Sequence, residues 1–312
     1  MSEPLVSIIT PAFNAAAHIE ATARSVLDQT FGQWEWIIAD DGSTDGTRDL
    51  VRRIDDRRIQ LIECEHSGLP AVARNRALAH AHAPLIAYLD ADDLWSPDKL
   101  TAQIECLERY PDAGLVFSKV TYFFADTGRA GRRPQPSMDG IPNPGWMFVP
   151  LCIRNRVCAS SAVVRRALLN AHGAMDEDPR QRGTEDYELW LRLAAHTRFA
   201  WIDRALVQYR VDPRSLSGNA VNLAHGTILA VEKNLRRYPD CSPFTRRGLE
   251  AWKLFRLGHG QFQNGVERSG RRALWQSLRI SPFHLAGWLW LALSFLSPAI
   301  RGRLRRVAVR LF

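Results

Sequence analysis

The chain has 312 residues, 46% of them apolar and 24% charged, with a formal net charge of +8. That length suits one large α/β domain with an appendage, and that apolar share excludes a disordered chain. The positive excess points to anionic partners such as nucleotide phosphates or acidic lipids. The five scattered cysteines lack any C-x-x-C or Cys/His ligand spacing, which excludes a zinc module and a disulfide framework and fits a reducing compartment.

Strand and helix patterns alternate through the first 110 residues. Apolar β runs at 5–10, 34–39, 58–63 and 85–89 are each followed by helical spacing, at 18–29, 47–54, 71–81 and 97–110. Four such repeats predict a largely parallel sheet with helices on both faces. Ligands of open α/β sheets sit outside the strands' carboxyl ends, where 10–14, 40–45 and 90–93 fall. A further strand is expected at 116–124. Residues 125–150 are rich in Gly, Pro and Arg and read as a long loop with the character of a lid. Later strands are expected at 157–164 and 200–209, with a helix at 187–195 between them.

From Asn219 onward the strand signal vanishes, and helices are expected at 223–238, 243–258 and 266–277. A boundary near Gly218 follows. Residues 252–282 have the spacing of one degenerate tetratricopeptide-like unit. The expected organisation is a catalytic domain over 1–217, a helical extension over 218–281 and an apolar, then basic, C-terminus over 282–312. The block 283–297 carries no formal charge and lies between Pro282 and Pro298. As a helix it reaches about 22 Å, short of a hydrocarbon core of ~30 Å. Arg301, Arg303, Arg305, Arg306 and Arg310 follow it. With Trp288 and Trp290, the segment suits a helix lying in the headgroup region of an anionic leaflet. The competing reading is a helix buried against the catalytic domain, with a solvated basic tail. The N-terminus lacks the basic region and apolar run of a signal peptide, so the expected location is cytoplasmic, peripherally on the inner face of the cell membrane.

Two motifs carry chemistry. In Tyr88-Leu-Asp-Ala-Asp-Asp-Leu-Trp95, three carboxylates crowd the end of a short strand. Charges so close repel unless a cation neutralises them. Hard oxygen ligands suit Mg²⁺ or Mn²⁺, which are commonly held by one or two carboxylates plus substrate phosphates; the alternative is an acidic loop capping the next helix. In Asp40-Asp41-Gly-Ser-Thr-Asp-Gly-Thr47, Gly42 allows a tight turn and Ser43, Thr44 or Asp45 can cap a helix. Capping leaves Asp40-Asp41 unexplained; a carboxylate there can accept from a base N–H or a ribose hydroxyl.

These motifs join Val6-Ser-Ile-Ile-Thr-Pro-Ala-Phe-Asn14, Ser25-Val-Leu-Asp-Gln-Thr-Phe31, Ala73-Arg-Asn75 and Thr184-Glu-Asp-Tyr-Glu-Leu-Trp-Leu-Arg192 in one order. Over residues 4–212 the chain resembles the family-2 nucleotide-sugar glycosyltransferases of the GT-A fold. The resemblance implies a Rossmann-like, mostly parallel α/β sheet flanked by helices, here followed by the helical C-terminal region. It implies that Thr10, Pro11, Ala12 and Asn14 form the floor of the nucleotide pocket, with Glu20 near its edge. Asp41 would read the base, and Arg74 would face the nucleotide or diphosphate. Asp90 would sit near the ribose, and Asp92 would ligate Mn²⁺ or Mg²⁺. Asp93 would support them or cap the next helix. Asp186 matches the general base, with Glu185 holding or assisting it. One base and no second nucleophile imply single displacement with inversion. The implied partners are a nucleotide-diphosphate sugar and a glycan or lipid-linked acceptor.

Asp212 stands where the family commonly has histidine, which would pass any phosphate contact to Arg210 or Arg214. The Gln-x-x-Arg-Trp motif of processive synthases is absent, so one sugar per encounter is expected. A dinucleotide oxidoreductase lacks its G-x-G-x-x-G here, and a nucleotidyltransferase lacks its Gly-rich basic loop. A non-catalytic membrane adaptor would not need Asp41, Asp90, Asp92 and Asp186 intact. No basic-aromatic motif supports nucleic-acid binding.

Overall fold

The computed structural model describes residues 3–124, 130–131, 138–212 and 219–296. The chain divides into two compact units, Met1–Asp212 and Pro213–Phe312.

The first unit begins with β1 (Val6–Ala12), α1 (Ile19–Leu27), β2 (Trp34–Asp40), α2 (Thr47–Arg52), β3 (Ile59–Glu63), α3 (Pro70–Leu78) and β4 (Leu85–Tyr88). These are the expected repeats. β1 to β4 pair in parallel, and the central strands are buried on both faces, which is why they read as unbroken apolar runs. In α1 the buried residues Ile19, Thr22, Ala23 and Val26 recur at helical spacing against the sheet. Ala12 pairs with Asp40 and Ile9 with Tyr88, so the three strands end along one edge. The aspartates of the Asp40–Thr47 and Tyr88–Trp95 motifs follow the ends of β2 and β4 along that edge.

The remainder comprises β5 (Leu94–Trp95), α4 (Lys99–Arg109), β6 (Ala113–Phe124), β7 (Ala130–Gly131), β8 (Gly145–Trp146), α5 (Phe148–Ile153), β9 (Val163–Arg165), α6 (Arg166–His172), α7 (Glu185–Ala194) and β10 (Arg198–Val211). The sheet order is β3-β2-β1-β4-β9-β6-β10-β5, with β7 on β6 and β8 on β10. β9 runs antiparallel between β4 and β6, whereas β6 and β10 are parallel. Two expectations need correction. The run 157–164 is not one strand: Ala159–Ser161 forms a 3-10 turn and only Val163–Arg165 enters the sheet. The turn delivers the Ser160 hydroxyl to Asp93, a polar contact that overrides the apolar pattern. Within 125–150, the described residues include the short strands β7 and β8 and the start of α5, so that stretch is not loop throughout.

The second unit holds α8 (Ala220–Arg237), α9 (Arg246–Gln263), α10 (Glu267–Ile280) and α11 (Leu285–Leu293). Asn219 and Thr245 cap α8 and α9, accepting from Asn222 N at 3.1 Å and Gly248 N at 3.0 Å. The tetratricopeptide-like stretch corresponds to the pair α9–α10. Their backbones meet at Gly258, where a Cβ would stand 2.9 Å from the Gly270 carbonyl oxygen. Trp290, Leu291 and Leu293 of α11 share one core with Phe262, Leu274 and Leu278, so no break falls at 282. Among the described residues, no helix is long and apolar enough to cross a membrane. The boundary near Gly218 and the arginines of 301–310 lie outside the described residues.

Candidate active site

Two groups of polar side chains occupy the carboxyl edge of the sheet. The first surrounds the end of β1. Asn14 adopts a positive φ of 49°, its amide N donates to Ser43 Oγ at 2.9 Å, and its Oδ1 accepts from Thr44 N at 2.9 Å. Ala15 N donates to Thr47 Oγ1 and Ala16 N to Asp45 Oδ2, at 2.8 and 3.0 Å. The Ser-Thr-Asp-Gly-Thr run therefore holds the loop after β1 as well as opening α2. Asp40 is fully buried and accepts from Ser43 N and Arg48 Nε. Thr10 is buried too, its hydroxyl accepting from the Trp36 indole at 2.8 Å, so it supports this floor from beneath. Ala12 is buried and its carbonyl oxygen accepts from Asp41 N, while Pro11 is half-buried. Glu20 is exposed on α1 and joins none of these networks.

Asp41 is held by the turn that follows β3. Its Oδ1 accepts from Ser67 N and Ser67 Oγ at 2.9 and 2.8 Å, its Oδ2 accepts from Gly68 N at 2.9 Å, and the His66 ring lies 3.1 Å away. Both oxygens are thus engaged by the turn 66–68. The turn presses close to Gly42, where φ is +79° and a Cβ would stand 2.8 Å from the His66 Cβ. The His66 ring stacks on Phe13 at 4.3 Å between centroids, and Phe13 remains 47% exposed. Phe13 sits inside a motif visible in the sequence; nothing in sequence marks His66 or Ser67.

The second group centres on Arg74 of α3. Its Nη2 donates to Asp90 Oδ1 at 2.5 Å and its Nη1 to Glu185 Oε1 at 2.7 Å, with the side chain 6% exposed. Burial works against its charge, but Asp90 and Glu185 more than restore it and raise its pKa. The guanidinium is thus enclosed between two acids. It cross-links the D-x-D motif to the start of α7. Asn75 completes the fastening: it donates to Met175 O at 2.8 Å and accepts from Met175 N at 3.0 Å. Arg192 holds the same segment from the other side, donating to the carbonyls of His172, Gly173 and Ala174. Glu185 is equally committed, because its second oxygen accepts from Gly183 N at 2.6 Å. Both Glu185 oxygens are thus occupied within the protein.

Asp186 stands next to it in the first turn of α7, half-buried, accepting from Tyr187 N at 2.7 Å. Burial, then the Glu185 charge, push its carboxyl up to about 7, with Arg74 opposing. Asp92 shows the same signature: burial and then Asp90 push it up to about 6. Asp93 is fully buried, and its oxygens accept from Ser160 Oγ at 2.6 Å and Arg210 N at 2.9 Å. Ser160 Oγ also accepts from Asp90 N. Arg210 Nε donates to the Asp92 carbonyl oxygen at 3.1 Å, and its guanidinium lies 4.4 Å from the Phe123 ring centroid. Asp93 therefore ties the motif to Ser160 and β10, and Arg210 brings a cation beside Asp92. Ser160 carries no sequence signal, since its partner lies 67 residues away.

Among the described residues, no cluster of three or more His, Cys, Asp or Glu could hold a metal ion by itself. With Asp90 engaged by Arg74 and Asp93 by Ser160 and Arg210, Asp92 is the carboxylate left to meet a cation. One such ligand with substrate phosphates matches the coordination of Mg²⁺ or Mn²⁺, so the donor set fits.

The model of glycosyl transferase family 2 matches residues 7–173. TuaG of Bacillus subtilis (strain 168), a glycosyltransferase named for teichuronic acid biosynthesis, is 33% identical over 234 residues, 72% of this chain and 86% of its own. WfaP of Escherichia coli, a UDP-Glc:alpha-D-GlcNAc-diphosphoundecaprenol beta-1,3-glucosyltransferase, is 34% identical over 220 residues, 69% of this chain and 80% of its own. Among solved structures, the mannosyltransferase PcManGT of Pyrobaculum calidifontis, in complex with GDP-Man and Mn²⁺, superposes with a TM-score of 0.62 at 18% identity. That alignment covers 100% of this chain and 87% of the other. It shows the GT-A fold. A match across more than half of the chain, joined to a relative one-third identical over most of both lengths, has one meaning: the chain belongs to glycosyl transferase family 2, the nucleotide-sugar glycosyltransferases.

Proposed function

We propose that this chain transfers one sugar per encounter, with inversion, from a nucleoside-diphosphate donor to a hydroxyl of a lipid-linked glycan precursor at the cytoplasmic face of a membrane. The observation that carries the reading is Asp186, whose carboxyl is held at about 7 beside a network that reaches the D-x-D motif through Arg74. A base is most effective when its pKa lies near the working pH. Glu185 and Arg74 fix the start of α7, so Asp186 meets the acceptor hydroxyl from a rigid support and takes its proton as attack proceeds.

The rest of the site binds and orients. The exposed face of Phe13, backed by His66, offers a stacking surface for a nucleobase. Asp41 keeps that surface in place through the turn 66–68. Asp92 would hold Mn²⁺ or Mg²⁺ together with the donor's diphosphate, and such an ion supplies positive charge to the departing phosphate oxygens. Arg210 adds a fixed cation nearby. The lipid-linked acceptor is supported by the name of WfaP, whose acceptor is a diphosphoundecaprenol-linked sugar. We assign the chemistry to the first unit and membrane contact to the C-terminal helices.

Asp186→Asn tests the reading. Transfer should fall by about 10²–10⁴-fold, while UDP or GDP still raises the melting temperature with Mn²⁺. Undiminished turnover would remove Asp186 from its role. A thermal-shift panel of nucleotide sugars, with and without Mn²⁺, identifies base and sugar together, since a ligand of the folded state stabilises it by mass action.

A further inference from the structure

We propose that the joint outer face of α10 and α11 is the surface that docks on an anionic lipid bilayer, with arginines of α10 on lipid phosphates and aromatic side chains of both helices in the headgroup region. The inference deepens the membrane-side reading above and rests on it for its biological purpose, but its physics belongs to the second unit alone.

On α10, Arg268, Arg272, Trp275, Gln276 and Arg279 are exposed. Their spacing of four, three, one and three residues places them on one helical face. The opposite face buries Gly270, Ala273, Leu274, Ser277 and Leu278. The helix is thus amphipathic with a basic outer face that carries a tryptophan at its centre. α11 is different, because Leu-Ala-Gly-Trp-Leu-Trp-Leu-Ala-Leu has no polar side at all. A helix apolar all round belongs in a protein core or in lipid. Here only part of it is covered. Trp290, Leu291 and Leu293 face the unit's core, while Leu285 is 68% and Trp288 44% exposed, and the flanking Phe283 and Phe295 are 93% and 70% exposed.

The two exposed faces are continuous. The Trp275 and Trp288 rings meet edge-on at 6.1 Å, and Trp288 is pinned by donating to the Pro282 carbonyl oxygen at 2.7 Å. Arg271 stands 5.1 Å from the Phe295 ring centroid and donates to Ser294 O. Glu267, the acid in the first turn of α10, is paired with Arg271. A basic stripe beside an apolar, tryptophan-bearing ridge matches the charge and layering of an anionic leaflet, where tryptophan occupies the interface and arginine the phosphate level. A second copy of the chain is the poorer occupant. A two-fold interface would bring the same patch of like-charged arginines together. α11 lies flat in this arrangement, since its nine residues reach only about 14 Å.

The test is co-sedimentation of the full chain with vesicles of phosphatidylcholine alone or mixed with phosphatidylglycerol. Wild type should bind the mixed vesicles far better than the neutral ones. Arg268→Glu/Arg272→Glu/Arg279→Glu should weaken that binding about a hundredfold. Trp275→Ser/Trp288→Ser should weaken binding while keeping the preference for phosphatidylglycerol. Both variants should keep the thermal shift given by UDP or GDP with Mn²⁺. Wild-type binding by both variants would place all contact in residues 301–310 and overturn the proposal, as would failure of wild type to bind mixed vesicles. A wild-type dimer that the tryptophan variant converts to monomer, with lipid binding unchanged, would make the face a self-interface and also overturn it. If the face binds lipid as expected but only lipid-free glycans accept sugar, the acceptor reading fails and the docking surface stands.

Discussion

The two halves of the sheet edge use carboxylates in opposite ways. Around β1 and β2, Asp41 and Asp45 are held by backbone N–H groups and hydroxyls and Asp40 by Ser43 N and Arg48, and their product is shape: a fixed loop, a fixed turn, and Phe13 on His66. Around β4 and α7, Asp90 is paired with Arg74, Glu185 with Arg74 and Gly183 N, and Asp93 with Ser160 and Arg210 N, yet these acids stand close to two more, Asp92 and Asp186. Burial and the neighbouring acids push Asp92 up to about 6 and Asp186 up to about 7, and they push Asp93 well above the ordinary carboxylate range in spite of its two donors. On the function proposed above, the contrast separates residues that shape the site from residues kept ready for a cation or a proton. Hydrogen bonds donated to a carboxylate favour its charged form, and burial among other acids opposes them.

The sharpest way to break this contrast is Asp186→Asn, with its expected loss of about 10²–10⁴-fold in transfer and intact nucleotide binding. Next comes Arg74→Met. Leaving the buried Glu185 and the half-buried Asp90 without their cation should cost about 3–5 kcal/mol of stability, read by urea denaturation. Loss of the opposing charge should also move the Asp186 limb of the pH–rate profile upward. Arg74→Lys should recover part of the stability, since a lysine cannot bridge both acids as a fork does. Asp92→Asn should leave the fold intact and abolish the extra melting-temperature increment that Mn²⁺ adds to UDP or GDP. On the other side of the edge, Asp41→Ala should release the turn 66–68 and weaken nucleotide binding about tenfold or more, with kcat at saturating donor changed far less. If it lowers kcat as much as Asp186→Asn does, the two groups are not divided as described.

The smallest effect concerns pH. Asp186 keeps its proton to about 7 in the folded chain and to about 4 in an unfolded one. Between those values the folded state holds the extra proton, so the Asp186 contribution to stability declines as pH rises through that window. The ionised base is the active form, so kcat should climb over the upper part of the same window. The melting temperature of Asp186→Asn relative to wild type should therefore gain a few degrees between pH 5 and pH 8. A difference that does not change with pH would mean that the carboxyl titrates in the ordinary carboxylate range.

Much of the frame was legible because parallel central strands, buried on both faces, read as apolar runs, and α1 shows its buried spacing directly. The D-x-D and Glu-Asp positions were legible as unusual acids at strand and helix ends. What sequence hid is pairing over distance. Arg74 reads as a free basic residue until it is seen between Asp90 and Glu185, the latter 111 residues away. Asp41 reads as an open acceptor until Ser67 and Gly68 fold back on it. The segment 157–164 reads as a strand because Val157, Val163 and Val164 outweigh two serines, although Ser160 decides the path by reaching Asp93. In each case a buried polar partner, which local periodicity does not encode, sets the outcome.

The fastening of 172–186 by Arg74, Asn75 and Arg192 has an engineering corollary. The proposed proton acceptor, Asp186, rides on a peptide riveted to α3, so transplanting 172–192 from a relative means transplanting Arg74 and Asn75 with it. The strip 138–153 is fastened to the same helix from another side, because Tyr187, next to Asp186, donates to the Leu151 carbonyl oxygen, so any exchange there has to keep that bond.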